Sequence, residues 1–201
     1  MTMDHRDNPP IAGNTLVHGK NAGAGHRLNY FAYGSNMSLA RLRARVPSAE
    51  KIGSFMLREH SLRFHKCGQD GSGKCDAFAT RNREDVLIGV LFTIDAGEKA
   101  HLDRIEGLGR GYEHKWVSVR NDAGLEYEAA TYYATSVDVT LKPFSWYKQH
   151  VLVGARESLL PAEYIRAIER VQHLEDPDRS RDRQERALHL PRHLVTDVAL
   201  P

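Results

Sequence analysis

The sequence predicts an α+β fold: a small, mixed but mostly antiparallel β-barrel or curved sheet with helices packed outside it. Three observations carry this. Strand-like segments fill the first two thirds of the chain, helical periodicity fills the last third, and Gly- or Asn-rich turns separate the strands at hairpin spacing.

Strand character begins at residues 28–33, Leu-Asn-Tyr-Phe-Ala-Tyr, and Gly34-Ser35-Asn36 breaks it. Ser38 can cap a short helix over 39–45 that stops before Pro47. Residues 51–64 read as one strand bent near Glu59, 76–80 as a second and 86–94 as the most hydrophobic. The Gly-rich stretch 68–74 reads as a surface loop. Asp95 and Glu98 have capping-box spacing, which predicts a helix over 96–106 ended by Gly107, Gly109 and Gly111. Segments 112–120 and 126–134 form a hairpin around Asn121-Asp122-Ala123-Gly124. Pro143 and Pro161 precede helices expected over 144–156 and 162–174.

The ends differ in composition. Residues 1–27, rich in Gly, Asn, Pro and His, predict a flexible arm, and 28–174 the folded domain. Residues 175–201 open on a run of charge, Asp176 to Arg183, which predicts a solvated tail. Leu188, Leu190, Leu194 and Val195 could dock its final segment on the body or on a partner.

Composition excludes several classes of function. With 201 residues, 41% hydrophobic and 27% charged, the chain is an ordinary globular sequence. Its net charge of +2 gives no electrostatic footprint for nucleic acid. No apolar run has membrane-spanning length, and residues 1–29 lack the apolar core of a signal peptide, so a cytoplasmic location is expected. The two cysteines, Cys67 and Cys75, suit a reducing compartment. The 11 histidines are scattered, and His65, Cys67, Cys75 and Asp76 do not have zinc-finger spacing, so no metal is called for.

Three features carry chemistry. In Tyr30-Phe31-Ala32-Tyr33-Gly34-Ser35-Asn36-Met37 a strand runs into a turn followed by a helix. Amide N–H groups at such a turn can converge on a carboxylate or an oxyanion, although the tetrapeptide Tyr33 to Asn36 alone reads first as a plain turn. Glu106 ends the helix of Leu102-Asp103-Arg104-Ile105-Glu106-Gly107, where the helix dipole disfavours its charged form and so suits it to exchange protons near neutrality. Asp103, one turn earlier, is the alternative carboxylate. The third feature spans 143–164. There Phe144, Tyr147, Val151 and Gly154 recur at helical spacing as core residues, and Tyr147 can instead aim its hydroxyl into a pocket. Ser35 has no histidine in a recognised pattern to activate it as a nucleophile.

Together, and in this order, the Tyr-Phe-Ala-Tyr-Gly-Ser-Asn-Met, Leu-Asp-x-x-Glu-Gly and Tyr-Lys-x5-Gly-Ala-x-Glu-x-x-Leu-Pro-x-x-Tyr segments resemble the γ-glutamylcyclotransferases over residues 29–174. The resemblance implies a small mixed barrel with flanking helices and a loop of Tyr33, Gly34, Ser35 and Asn36 that holds substrate. It implies Glu106 as catalytic acid/base, with Tyr112 and Tyr147 lining the pocket. The implied reaction is attack of the substrate's α-amine on its own γ-carbonyl, releasing 5-oxoproline without metal or cofactor. A small-molecule γ-glutamyl substrate and a possible homodimer follow from the same resemblance. Glutathione-specific relatives usually carry Leu where this chain has Asn36, which disfavours glutathione. The residues leave open γ-glutamylamines as substrates, an amide hydrolase or acyltransferase, and a non-catalytic binding module on the same fold. The arm, the 67–75 loop and the charged tail match nothing in the family pattern.

Overall fold

The computed structural model describes residues 26–190. The expected arm up to residue 25, and Leu194 and Val195, lie outside those residues. Among the described residues seven strands form: β1 (Arg27–Ala32), β2 (Glu50–Arg58), β3 (His60–Cys67), β4 (Gly73–Ala79), β5 (Val86–Asp95), β6 (Tyr112–Arg120) and β7 (Glu126–Ala134). Five α-helices accompany them: α1 (Leu39–Arg43), α2 (Lys99–Glu106), α3 (Ser145–Glu157), α4 (Ala162–Glu169) and α5 (Arg179–Ala187).

Five strands close a barrel in the order β1-β5-β2-β6-β7, and β3 and β4 form a separate hairpin. Closure is parallel, Tyr30 on β1 against Ala130 on β7, and the other pairings are antiparallel. The expected mixed, mostly antiparallel barrel is therefore present. β5 lies between β1 and β2, with Val90, Leu91 and Phe92 all buried in succession, which explains its continuous apolar run. Gly89 sits where a Cβ would meet the Ala32 carbonyl oxygen at 2.5 Å, so a side chain there would push β1 off its partner. Phe31, Phe92, Leu87, Leu102 and Val119 are among the fully buried core side chains.

The hairpin of β6 and β7 has the expected bounds and runs in continuous register from Tyr112↔Ala134 to Arg120↔Glu126. Other elements depart from expectation. Residues 51–64 belong to two strands of different sheets, because Glu59 turns the chain at φ 59°. The loop expected over 68–74 is partly interior: Ser72 is buried, and β4 starts at Gly73, whose N–H donates to the Lys142 carbonyl at 2.9 Å. Helix 96–106 begins as a 3-10 turn over Ala96–Glu98. Asp95 caps it by accepting from Gly97 N–H at 2.8 Å, but Glu98 turns away and accepts from the Ser48 amide instead. Ser38 precedes α1 without a side-chain capping bond. Helix α4 stops at Glu169, because residues up to Leu174 return to pair with Pro143 and Ser145.

The largest departure lies after Glu175. The charged run forms α5, N-capped by Asp178, which accepts from the amides of Ser180 and Arg181 at 3.0 Å each. None of the residues of α5 is buried, but the helix is pinned to the surface by partners buried on the body. Asp176, 1% exposed, accepts from Trp146 Nε1 at 2.7 Å and from Arg181 through two bonds of 2.6 Å. Glu185 pairs with Arg41 at 2.5 Å and with His150 at 2.9 Å. No helix among the described residues is long and apolar enough to cross a membrane.

Candidate active site

The break after β1 builds the site. Ser35–Met37 form a 3-10 turn closed by Met37 N–H to Gly34 O at 3.0 Å. The amides of Ser35 and Asn36 have no acceptor among the described residues, as the start of a helical turn requires. Two glycines allow the packing around this turn. A Cβ on Gly34 would approach Cys75 Cβ to 2.9 Å, and a Cβ on Gly154 of α3 would approach Ser38 N to 2.3 Å and Met37 C to 2.4 Å. The turn is thus wedged between β4 and α3.

Glu106 reaches the same place from the end of α2. Gly107 follows in the left-handed conformation, φ 78°, and turns the chain away so that the carboxylate faces inward, its side chain 17% exposed. Glu106 Oε1 accepts from Asn36 Nδ2 and from Arg45 Nη1, both at 2.9 Å. Arg45 Nη1 also donates to Asn36 Oδ1 at 3.0 Å, and Asn36 Nδ2 donates to Tyr30 Oη at 3.0 Å. Every bond to the carboxylate thus falls on Oε1, and Oε2 has no partner among the described residues. Asp103, the alternative carboxylate, is engaged by Lys99 and by the Tyr132 hydroxyl at 2.6 Å.

All seven residues singled out in the sequence, Tyr33, Gly34, Ser35, Asn36, Glu106, Tyr112 and Tyr147, line one inner recess. Tyr30, Cys75 and Tyr132 complete its wall. The phenols frame this wall by binding backbone. Tyr33 Oη donates to Tyr132 O at 2.7 Å, Tyr112 Oη donates to Cys75 O, and Tyr147 Oη accepts from Cys75 N–H at 3.0 Å. The hydroxyl of Tyr147 is therefore committed to β4. Burial pushes Tyr33, Tyr112 and Tyr147 well above the usual phenol value and the Cys75 thiol up to about 12. The wall is thus neutral at physiological pH, with Glu106 its one carboxylate.

Ser35, Glu106, Tyr112 and Tyr147 also border an outer cavity of about 540 Å³. They form the threshold between a narrow recess and a roomy vestibule. Sequence reasoning missed Arg45, Tyr30 and Cys75. Tyr30 lies within the motif itself, but nothing in the spacing of Arg45 or Cys75 announces a role. Cys67 and Cys75 are both free thiols.

A closed mixed barrel with a carboxylate at the threshold of a buried polar recess presents a pocket of small-molecule size. The comparisons with known proteins are specific. The sequence profile of the AIG2-like family matches residues 86–168. A human γ-glutamylcyclotransferase is 31% identical over 147 residues, covering 70% of this chain and 78% of the relative. A bovine γ-glutamylcyclotransferase is 29% identical over 152 residues, covering 74% and 80%. A solved γ-glutamyl cyclotransferase structure superposes with a TM-score of 0.69 at 27% identity, covering 74% of this chain and 90% of that one. The chain belongs to the γ-glutamylcyclotransferase family, and it is an enzyme of that type.

Proposed function

We propose that this protein releases 5-oxoproline from γ-glutamyl amides, γ-glutamyl amino acids in particular, with Glu106 as general acid and base. The observation that carries this reading is the asymmetry of Glu106: Oε1 is fixed by Asn36 and Arg45 while Oε2 is unengaged. A carboxylate held in this way keeps its orientation and still has an oxygen with which to exchange a proton.

In this reading the glutamyl moiety lies at the threshold, against Ser35 and Glu106, and its leaving amine points to the outer cavity. Held there, it reacts from a folded-back conformer with the α-amine against the γ-carbonyl carbon. Such intramolecular alignment is worth roughly 7–11 kcal/mol. Glu106 takes a proton from the attacking nitrogen as the new C–N bond closes the five-membered ring. The free amides of Ser35 and Asn36 supply donors for negative charge on the glutamyl group. As the original amide C–N bond breaks, Glu106 returns a proton to the leaving nitrogen. Proton and electron counts close without water, metal or redox cofactor.

Glu106→Gln tests the assignment. It preserves shape and the Asn36 contact but cannot cycle a proton, so release of 5-oxoproline from γ-glutamyl dipeptides should fall by about 10³-fold or more. A rate near wild type would remove Glu106 from the chemistry.

A further inference from the structure

The outer cavity is strongly biased in charge. Seven basic side chains line it against three acidic ones, Asp70, Glu106 and Glu185. Four of the seven are neutralised: Arg41 by Glu185, Arg45 by Glu106, Lys74 by Asp70 and Arg181 by Asp176. Lys66, Arg104 and Arg110 remain without an acidic partner among the described residues.

Lys66 differs from the other two. It lies in β3 and is 5% exposed, whereas Arg104 and Arg110 are exposed at the rim. Its Nζ makes no hydrogen bond or ion pair among the described residues, and it stands 4.6 Å from the centroid of the Tyr112 ring. Its stem is buried while its ammonium opens onto the outer cavity, so an anionic group entering that cavity meets an unpaired cation in its wall. The backbone is shaped around it: a Cβ on Gly111 would meet Lys66 Cε at 3.0 Å and Nζ at 3.3 Å, and Gly111 itself adopts φ 103°. Burial pulls the ammonium below its ordinary value, and the Glu106 carboxylate partly restores it. Tyr112 joins this lysine to the recess, since it walls both cavities and carries Lys66 over its ring.

We propose that Lys66, with Arg110 at the rim, forms a carboxylate subsite for the amino acid that leaves from the γ-glutamyl amide. The inference rests on the cyclotransferase reading above and narrows it. The preferred substrates are γ-glutamyl α-amino acids, whose leaving nitrogen sits one carbon from a carboxylate, and γ-glutamylamines lack the group that Lys66 holds. A carboxylate there pairs with the cation that Lys66 presents to the cavity and leaves the Arg45 pairing with Glu106 intact.

The test compares γ-L-glutamyl-L-alanine with γ-L-glutamyl-L-alaninamide, scoring 5-oxoproline release as kcat/KM. The two differ only in carboxylate against neutral carboxamide. Their intrinsic leaving abilities cancel when the ratio is compared between wild type and variant. In Lys66→Met the acid-to-amide ratio should fall about 30-fold, as expected for losing a charge-assisted bond at a part-buried site. The loss should lie in the dipeptide acid alone, with the amide unchanged within about threefold. An unchanged ratio, or an equal fall for both substrates, overturns the subsite. Should Lys66→Met fail to fold, exposed Arg110→Gln carries the test: its melting temperature should hold and the ratio should drop about threefold, and an unchanged ratio again overturns the proposal. If wild-type protein releases 5-oxoproline from neither compound, the cyclotransferase reading itself falls; turnover of both with no effect of either variant removes only the subsite.

Discussion

Asn36 and Glu106 lie 70 residues apart in sequence and 2.9 Å apart in the structure, joined by a bond from Nδ2 to Oε1. Asn36 is the hub of the cluster. It donates to Tyr30 and Glu106 and accepts from Arg45, so one amide orients a phenol, a carboxylate and a guanidinium. Leu in its place would keep the approximate volume and remove all three contacts. Asn36→Leu should lower kcat for γ-glutamyl dipeptides about 10- to 100-fold, because Glu106 then depends on Arg45 alone for its orientation. The fall should appear in kcat more than in KM. Wild-type kcat in this variant would show that Arg45 suffices.

Gly154 sets how closely α3 can approach the 3-10 turn. An alanine methyl there would lie 2.3 Å from the Ser38 backbone nitrogen, and backbone cannot rotate away as a side chain can. Gly154→Ala should destabilise the fold by about 3 kcal/mol, since overpacking against main chain displaces whole elements. It should also reduce turnover by shifting the turn that carries Ser35 and Asn36. Gly109→Ala is the matched control. Its φ is 74°, so it bears the left-handed penalty of about 1 kcal/mol, but nothing lies within 4 Å of its Cβ. Chemical denaturation of both variants should rank Gly154→Ala well below Gly109→Ala.

The contrast between these glycines shows what was legible in the sequence. Conformation at Gly107, Gly109 and Gly111 was readable, because three glycines after a helix announce a left-handed exit. The hairpin of β6 and β7 was readable from its turn residues and two segments of equal length. The close approach at Gly154 was visible only as a small residue at helical spacing, since its reason is the backbone of Met37 and Ser38, over a hundred residues earlier. Arg45 was invisible for a related cause. An arginine at the end of a short helix is ordinarily solvated, and only the path of the chain places it on Glu106. The charged run after Glu175 misled because charge density reports solvation only where the body offers no buried counter-charge.

Asp176 ties α5 to the body, accepting from Trp146 of α3 and from Arg181 of α5, and so tests how the helix is held. It is buried, and its carboxylate is held well below the usual range, the Arg181 hydrogen bonds outweighing its desolvation with help from Trp146. Asp176→Ala would leave the indole N–H without its acceptor and release Arg181. The expected cost is about 3 kcal/mol, in the range for breaking a buried charged pair from one side. Tryptophan emission should report it directly: Trp146 is buried, whereas Trp116 is 57% exposed in wild type as in the variant. A red shift therefore belongs to Trp146. Unaltered emission and stability together would mean that α5 is not anchored through Asp176.

The second anchor of α5 titrates. His150 is fully buried, with Nε2 2.9 Å from Glu185 Oε2 and Nδ1 beside His189 Nε2. Nε2 also lies 3.1 Å from Arg41 Nη1, so this nitrogen faces a donor and an acceptor at once. Burial, with the Arg41 and His189 charges, holds the imidazole at about 4, although the Glu185 hydrogen bond opposes the shift. The unfolded chain takes up this proton near 6.5 and the native protein does not, so stability falls as pH drops from about 6.5 toward 4. Glu185 adds to this at lower pH. Burial pushes its carboxyl up, but the His150 hydrogen bond and the Arg41 charge bring it down to about 2. Its contribution is therefore complete above about 4.5 and is lost as pH falls toward 2. One proton over the 1.5 pH units from 6.5 to 5 corresponds to about 2 kcal/mol, or a fall of roughly 4–8 °C in melting temperature for a domain of this size. His150→Gln removes the titrating ring. It should lower the melting temperature at pH 7, and the further drop between pH 7 and pH 5 should be less than half that of wild type. Parallel curves for the two proteins would locate the acid sensitivity in a group other than His150.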